Sequence, residues 1–98
     1  MEYFVIGDED TVLGFALAGV QGLKASTAAE ARLAWDKALE DRSNGVIIIT
    51  SSAADLIRDT VDSYLFSESF PLVVEIPSKG QKSVDLRELV NEAIGVSI

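Results

Sequence analysis

The sequence predicts an α/β protein, a single domain in three layers with a four-stranded parallel sheet between helices. Three observations predict it. Short apolar runs alternate with segments of helical spacing along the chain. One of those runs, Val46-Ile47-Ile48-Ile49, is apolar at every position, the pattern of a strand covered on both faces in the middle of a parallel sheet. The length of 98 residues, 48% of them hydrophobic and two of them proline, suits one ordered domain.

Taken in order, Tyr3-Phe4-Val5-Ile6 forms the first strand, ended by Gly7 and the acidic triplet Asp8-Glu9-Asp10. Residues 11–18 read as a short helix stopped by Gly19, since glycine is the favoured helix-stop residue. A weaker second strand, 20–25, is interrupted by Gly22 and Lys24. Thr27 with Glu30 has the form of a capping box, and Ala28, Ala31, Trp35 and Ala38 recur at helical spacing behind it. Asn44-Gly45 reads as the turn into the third strand, 46–49. Ser52 and Asp55 repeat the capping spacing and open a third helix whose buried face is Ile57, Val61, Tyr64 and Leu65. Pro71 and Pro77 bracket the fourth strand, Leu72-Val73-Val74-Glu75-Ile76. A fourth helix over 83–94 places Leu86, Leu89, Val90, Ala93 and Ile94 on one side and stops at Gly95, leaving Val96-Ser97-Ile98 as an apolar tail.

The order β-α-β-α-β-α-β-α with right-handed crossovers puts helices on both faces, the first and fourth on one and the second and third on the other. The most economical strand order is 2-1-3-4, a flavodoxin-like or receiver-like sheet cut one strand short.

Composition removes many functions. Sixteen acidic against eight basic residues give a net charge of −8 and argue against nucleic acid and against anionic membrane surfaces. Without Cys or His there is no thiolate, imidazole base, zinc finger or iron–sulfur site, and any metal would be a hard cation on oxygen ligands. The absence of Cys also excludes a disulfide framework, which fits the cytosol. The apolar run 12–20 falls short of the ~20 residues that span a bilayer. No basic leader follows Met1-Glu2, so the chain reads as intracellular and soluble.

Ligands in such folds sit at the carboxyl ends of the strands. There, Asp8-Glu9-Asp10-Thr11 has the look of a Mg²⁺ cluster, but a phosphorylatable Asp is missing after the third strand, where Thr50-Ser51-Ser52 stands. Ordinary helix capping is the simpler use of both segments. Gly14 and Gly19 have the spacing of P-loop glycines, yet Val20-Gln21 follow in place of Lys and Ser/Thr, and no GxGxxG occurs. The acidic first loop would repel a flavin phosphate. No Ser has a His base, and Lys79 and Lys82 look like a solvated loop. The expectation is no catalytic residue, no cofactor and no metal.

Two features point to a partner instead. The first helix carries no charge over 11–18; either the sheet and the fourth helix cover it, or Leu13, Phe15 and Leu17 face another protein. Phe66 and Phe70 flank a polar connection, and either plug the edge of the core or mark an interface.

The opening segment, apolar strand, Gly7-Asp8, Thr11-Val12, then Gly14-Phe15-Ala16-Leu17-Ala18-Gly19, resembles the N-terminus of the F subunit of V-type and archaeal A-type ATP synthases. Ile49-Thr50, Pro71-Leu72-Val73-Val74-Glu75-Ile76-Pro77 and Ala93-Ile94-Gly95-Val96 extend the likeness over essentially the whole chain. The resemblance implies a receiver-like fold and a non-catalytic central-stalk component of a rotary ATPase, cytoplasmic and peripheral to the membrane. It implies binding to the coiled-coil D subunit of the rotor stalk within the ring of A and B subunits, coupling ATP hydrolysis or synthesis to ion transport. It also implies a mobile, regulatory C-terminal segment, here 81–98. The expected partner contacts are Leu13, Phe15, Leu17, Phe66, Phe70, Val96 and Ile98. The alternative reading is a degenerate receiver-like signalling or binding module that works without phosphorylation.

Overall fold

The structure is a computed structural model that describes residues 1–78. Strand β1 (Glu2–Gly7) leads through helix α1 (Glu9–Leu17) to β2 (Gln21–Lys24). Helix α2 (Ala28–Glu40) returns the chain to β3 (Asn44–Thr50), and α3 (Ser51–Leu56) with α4 (Arg58–Ser67) carries it to β4 (Leu72–Ile76). All strand pairs are parallel and the order is β2-β1-β3-β4, as the sequence predicts. The fourth predicted helix and the apolar tail lie outside the described residues.

Right-handed crossovers decide which face each helix takes. The chain steps from β1 to β2 in one direction and from β2 to β3 to β4 in the other, so α1 lies on one face and α2, α3 and α4 on the opposite one. The core sits on the latter side. Phe4, Ile6, Ile47, Ile49 and Val73 meet Ala31, Ala34, Trp35, Ala38, Ala53, Ala54, Ile57 and Val61 there, with Tyr64 stacked edge-on against Trp35 at 5.4 Å. The small residues of α2 let its backbone approach the sheet closely enough for one large ring to fill the remaining space.

Three local expectations are corrected. Asn44-Gly45 is the start of β3, not a turn. The turn is made earlier, where the Asp41 carboxylate accepts from Ser43 N at 3.0 Å and from Ser43 Oγ at 2.6 Å, and Asn44 is buried with its amide donating to Ala38 O at 3.0 Å. The predicted third helix is two helices, broken at Ile57 (φ −133°, ψ 42°). Its cap is Thr50, whose Oγ1 accepts from Ala53 N at 3.3 Å, while Ser52 N donates to Ser78 Oγ at 2.7 Å. Along α4 and its N-cap, Ile57, Val61 and Tyr64 pack inward, while Leu65, turned about 100° from Tyr64 on the helix, is 48% exposed.

The other caps follow the sequence. Thr27 Oγ1 accepts from Glu30 N at 3.2 Å, and Glu30 reaches back to Ser26 N at 2.8 Å. Gly19 adopts φ +86°, the left-handed conformation that lets the chain leave α1 and turn into β2. Ala28, counted on the apolar stripe of α2, is exposed because it lies in the first turn, outside the sheet.

Candidate functional site

The carboxyl edge of the sheet, where a ligand would sit in this fold class, is occupied by hydrogen bonds that hold the fold together. Asp8 caps α1: its carboxylate accepts from Thr11 N at 3.1 Å and from Thr11 Oγ1 at 2.7 Å. Asp8 thus performs the capping role, with Glu9 and Asp10 in the first turn near the positive end of the helix dipole. At the other end of the edge, Ser51 Oγ donates to Ile76 O at 3.2 Å and Ser78 Oγ donates to Ser52 Oγ at 2.7 Å, tying α3 to the strand that follows it.

Arg58 organises the remaining charge. Its guanidinium donates to both Glu75 oxygens, at 2.8 and 2.9 Å, to Asp62 at 3.3 Å, and to Asp55. The Arg58 partnership holds the Glu75 carboxyl below its ordinary range, and Glu75, followed by Asp55, raises the Arg58 guanidinium further above its already high value. The Asp55-x-x-Arg58-x-x-x-Asp62 spacing gives two of these pairs away in the sequence. The third partner, Glu75, comes from β4 and is found only through topology.

The expected partner contacts divide between two surfaces. On the first, none of the nine residues of α1 is buried. Leu13 and Leu17 are exposed, Leu17 at 85%, while Phe15 is half-buried against the sheet. Among the described residues the sheet covers only part of α1, and the fourth predicted helix, the other element read as covering it, lies outside them. Among the described residues the helix lies mainly against β1 and β2. Beside it the same sheet face continues through Tyr3, Val46, Ile48, Leu72 and Val74, of which Tyr3, Leu72 and Val74 are exposed. The sequence reading places the fourth helix on this face, and that helix lies outside the described residues.

The second surface lies on the opposite side, at the amino end of β4. Phe66 is 95% exposed and Phe70 is also exposed, so neither plugs the core. Phe70 and Pro71 line a groove of about 390 Å³ with Leu39, Arg42, Asn44 and Tyr64. Tyr64 Oη donates to Pro71 O at 2.7 Å, which fixes the wall of the groove, and burial of the ring raises the phenol pKa. Val96 and Ile98 lie outside the described residues. No helix among the described residues is long and apolar enough to cross a membrane.

Comparison with known proteins gives these surfaces a context. Residues 4–94 match the family model described as the ATP synthase (F/14-kDa) subunit. The F subunit of the A-type ATP synthase of Methanothermobacter thermautotrophicus is 34% identical over 96% of this chain and 92% of its own length. The F subunit of the V-type ATP synthase of Fusobacterium nucleatum is 38% identical over 96% of this chain and 91% of its own length. The F subunit of the V-type proton ATPase of Homo sapiens is 36% identical over 76% of this chain and 71% of its own length.

Proposed function

Because the chain belongs to the ATP synthase (F/14-kDa) subunit family, and is therefore a subunit of an A-type or V-type ATP synthase, we propose that it is the non-catalytic rotor-stalk component of that machine. In this reading it binds the coiled-coil D subunit of the stalk within the ring of A and B subunits. It couples ATP synthesis or hydrolysis to rotation and to ion transport, and is held at the membrane periphery by the complex.

The observation that carries the reading is α1. A helix in a small domain normally gains its stability by burying an apolar face, and this one leaves all nine residues outside the core while carrying no charge after its first turn. The α1 side is the stalk-facing side in this reading, and Phe66 and Phe70 form a second contact available to the surrounding subunits. The remaining surface suits a part that turns inside a stator, since a net charge of −8 opposes adhesion to other acidic surfaces.

The test is reconstitution. The full chain is expected to co-purify with the coiled-coil stalk subunit, and to change the ATPase rate when that pair is added to the A/B ring. A chain that neither co-purifies nor alters the rate contradicts the proposal. A Phe15→Glu variant that folds normally and still co-purifies with the stalk subunit at wild-type yield would remove the α1 side from the contact.

A further inference from the structure

The groove at the amino end of β4 differs from the α1 side in where the rest of the chain goes. The chain leaves β4 at the opposite, carboxyl edge, where Ser78 is buried and bonded to Ser52. The sequence reading sets the fourth helix on the α1 face, across the sheet from this groove. The groove is also built before anything enters it. Tyr64 stands edge-on to Trp35 with ring centroids 5.4 Å apart and donates to Pro71 O at 2.7 Å, so two of the walls are tied together. Asn44 is buried and its amide donates to Ala38 O at 3.0 Å. What the lining leaves open is apolar surface from Leu39, Phe70 and Pro71, and one guanidinium, that of Arg42. Such a preformed site loses little ordering entropy when a segment binds.

Arg42 specifies the occupant. Arg58 is neutralised by Asp55, Asp62 and Glu75, and Arg32 donates to Thr60 Oγ1 at 2.9 Å. Among the described residues Arg42 has neither an ion pair nor a hydrogen bond, and it is the charged member of the groove lining. Its neighbour Asp41 is engaged by Ser43, and Glu68, whose charge reaches the Tyr64 phenol, stands outside the lining. An unpaired guanidinium beside aromatic walls recognises a carboxylate carried next to an apolar side chain. A net charge of −8 makes a second copy of the chain a poor occupant. At about 390 Å³ the groove takes a short segment, and so small a contact is weak and readily released. A partner that the chain turns past needs that property.

Resting on the reading of this chain as a stalk component within the A/B ring, we propose that the groove takes a short acidic segment of a ring subunit. One apolar side chain of that segment sits among Tyr64, Phe70 and Pro71, and a neighbouring carboxylate pairs with Arg42. The test places a photo-crosslinking phenylalanine analogue at Phe70 of the full chain, in the complex reconstituted with the stalk subunit and the A/B ring. Irradiation is expected to join it to a ring subunit at a stretch containing Asp or Glu. Arg42→Glu is expected to lower the yield of that product at least ~3-fold, and Arg42→Lys to keep it within ~2-fold. Both variants are expected to melt with wild type, because Arg42 has no partner among the described residues.

Crosslinks to residues 79–98, to a second copy or to the stalk subunit in place of the ring overturn the proposal, as does a ring product whose yield Arg42→Glu leaves unchanged. A chain that co-purifies with the stalk subunit and alters the ATPase rate, but gives no ring product, overturns the groove assignment while leaving the stalk reading intact. A chain that neither co-purifies nor alters the rate overturns the reading and the groove with it.

Discussion

On the side of the sheet that faces α2, five strand side chains (Phe4, Ile6, Ile47, Ile49 and Val73) are buried with residues of α2, α3 and α4 in one core. On the side that faces α1, Val5 is fully buried, while Tyr3, Leu72 and Val74 in the same strands are exposed. The strands are equally apolar on both sides, so the difference comes from the helices. Helix α2 is 13 residues long and brings Ala31, Ala34, Trp35 and Ala38 to the sheet. Helix α1 is nine residues long and, among the described residues, has none buried and lies mainly against β1 and β2. Among the described residues, one side of the sheet carries the core, and the other keeps apolar surface of the kind a parallel sheet normally covers.

This contrast predicts a steep asymmetry in mutational cost. Trp35→Ala is expected to lower stability by ~3–5 kcal/mol, because it empties the centre of the core, whereas Leu17→Ala on the open side is expected to stay within ~0.5 kcal/mol of wild type. Urea denaturation of the two full-length variants checks this, and a similar loss for both would show that the α1 side also stabilises the free chain.

A smaller effect is expected at Gly22, on the α1 side but inside it. The Cβ of Gly22→Ala would collide with Val5 Cγ1 and with the Val5 carbonyl, so a loss of ~1–3 kcal/mol is expected. A neutral result in thermal melts would mean that β1 and β2 separate more easily than their packing implies.

The smallest effect concerns the Arg58–Glu75 pair on the packed side. Glu75 has a lowered pKa in the folded chain, so its contribution is present above its ordinary value of 4.5 and is lost as the pH falls through the lower folded value. Glu75→Gln is therefore expected to cost about 0.5–1 kcal/mol at neutral pH and to match wild type at low pH. Equal differences at both pH values would remove the charge from the explanation.

The sheet was legible in the sequence because its strands are punctuated: Gly7 after β1, Pro71 and Pro77 around β4, and Gly19 before β2. The Thr27 cap was legible because its hydrogen bond is local. The break at Ile57 was not, because Ile57 and Val61 keep helical spacing across it and the deciding contacts, Arg58 with Glu75 and Ser52 with Ser78, come from distant residues. Of the candidate surfaces, Leu13, Leu17, Phe66 and Phe70 stood out as large apolar side chains, with a covered and a partner-facing reading both open for each. Whether such residues are covered depends on the length and placement of helices, which periodicity does not encode. Hence the exposure of α1 and of Tyr3, Leu72 and Val74, as it stands among the described residues, is a three-dimensional observation.

The central proposal is that the α1 side, open among the described residues, is where the stalk subunit binds. Hydrogen–deuterium exchange of the full chain, alone and bound to the coiled-coil stalk subunit, tests it most directly. Binding is expected to slow exchange in residues 9–18 and to leave residues 66–70 unchanged. Slowed exchange at 66–70 with no change across 9–18 would contradict it.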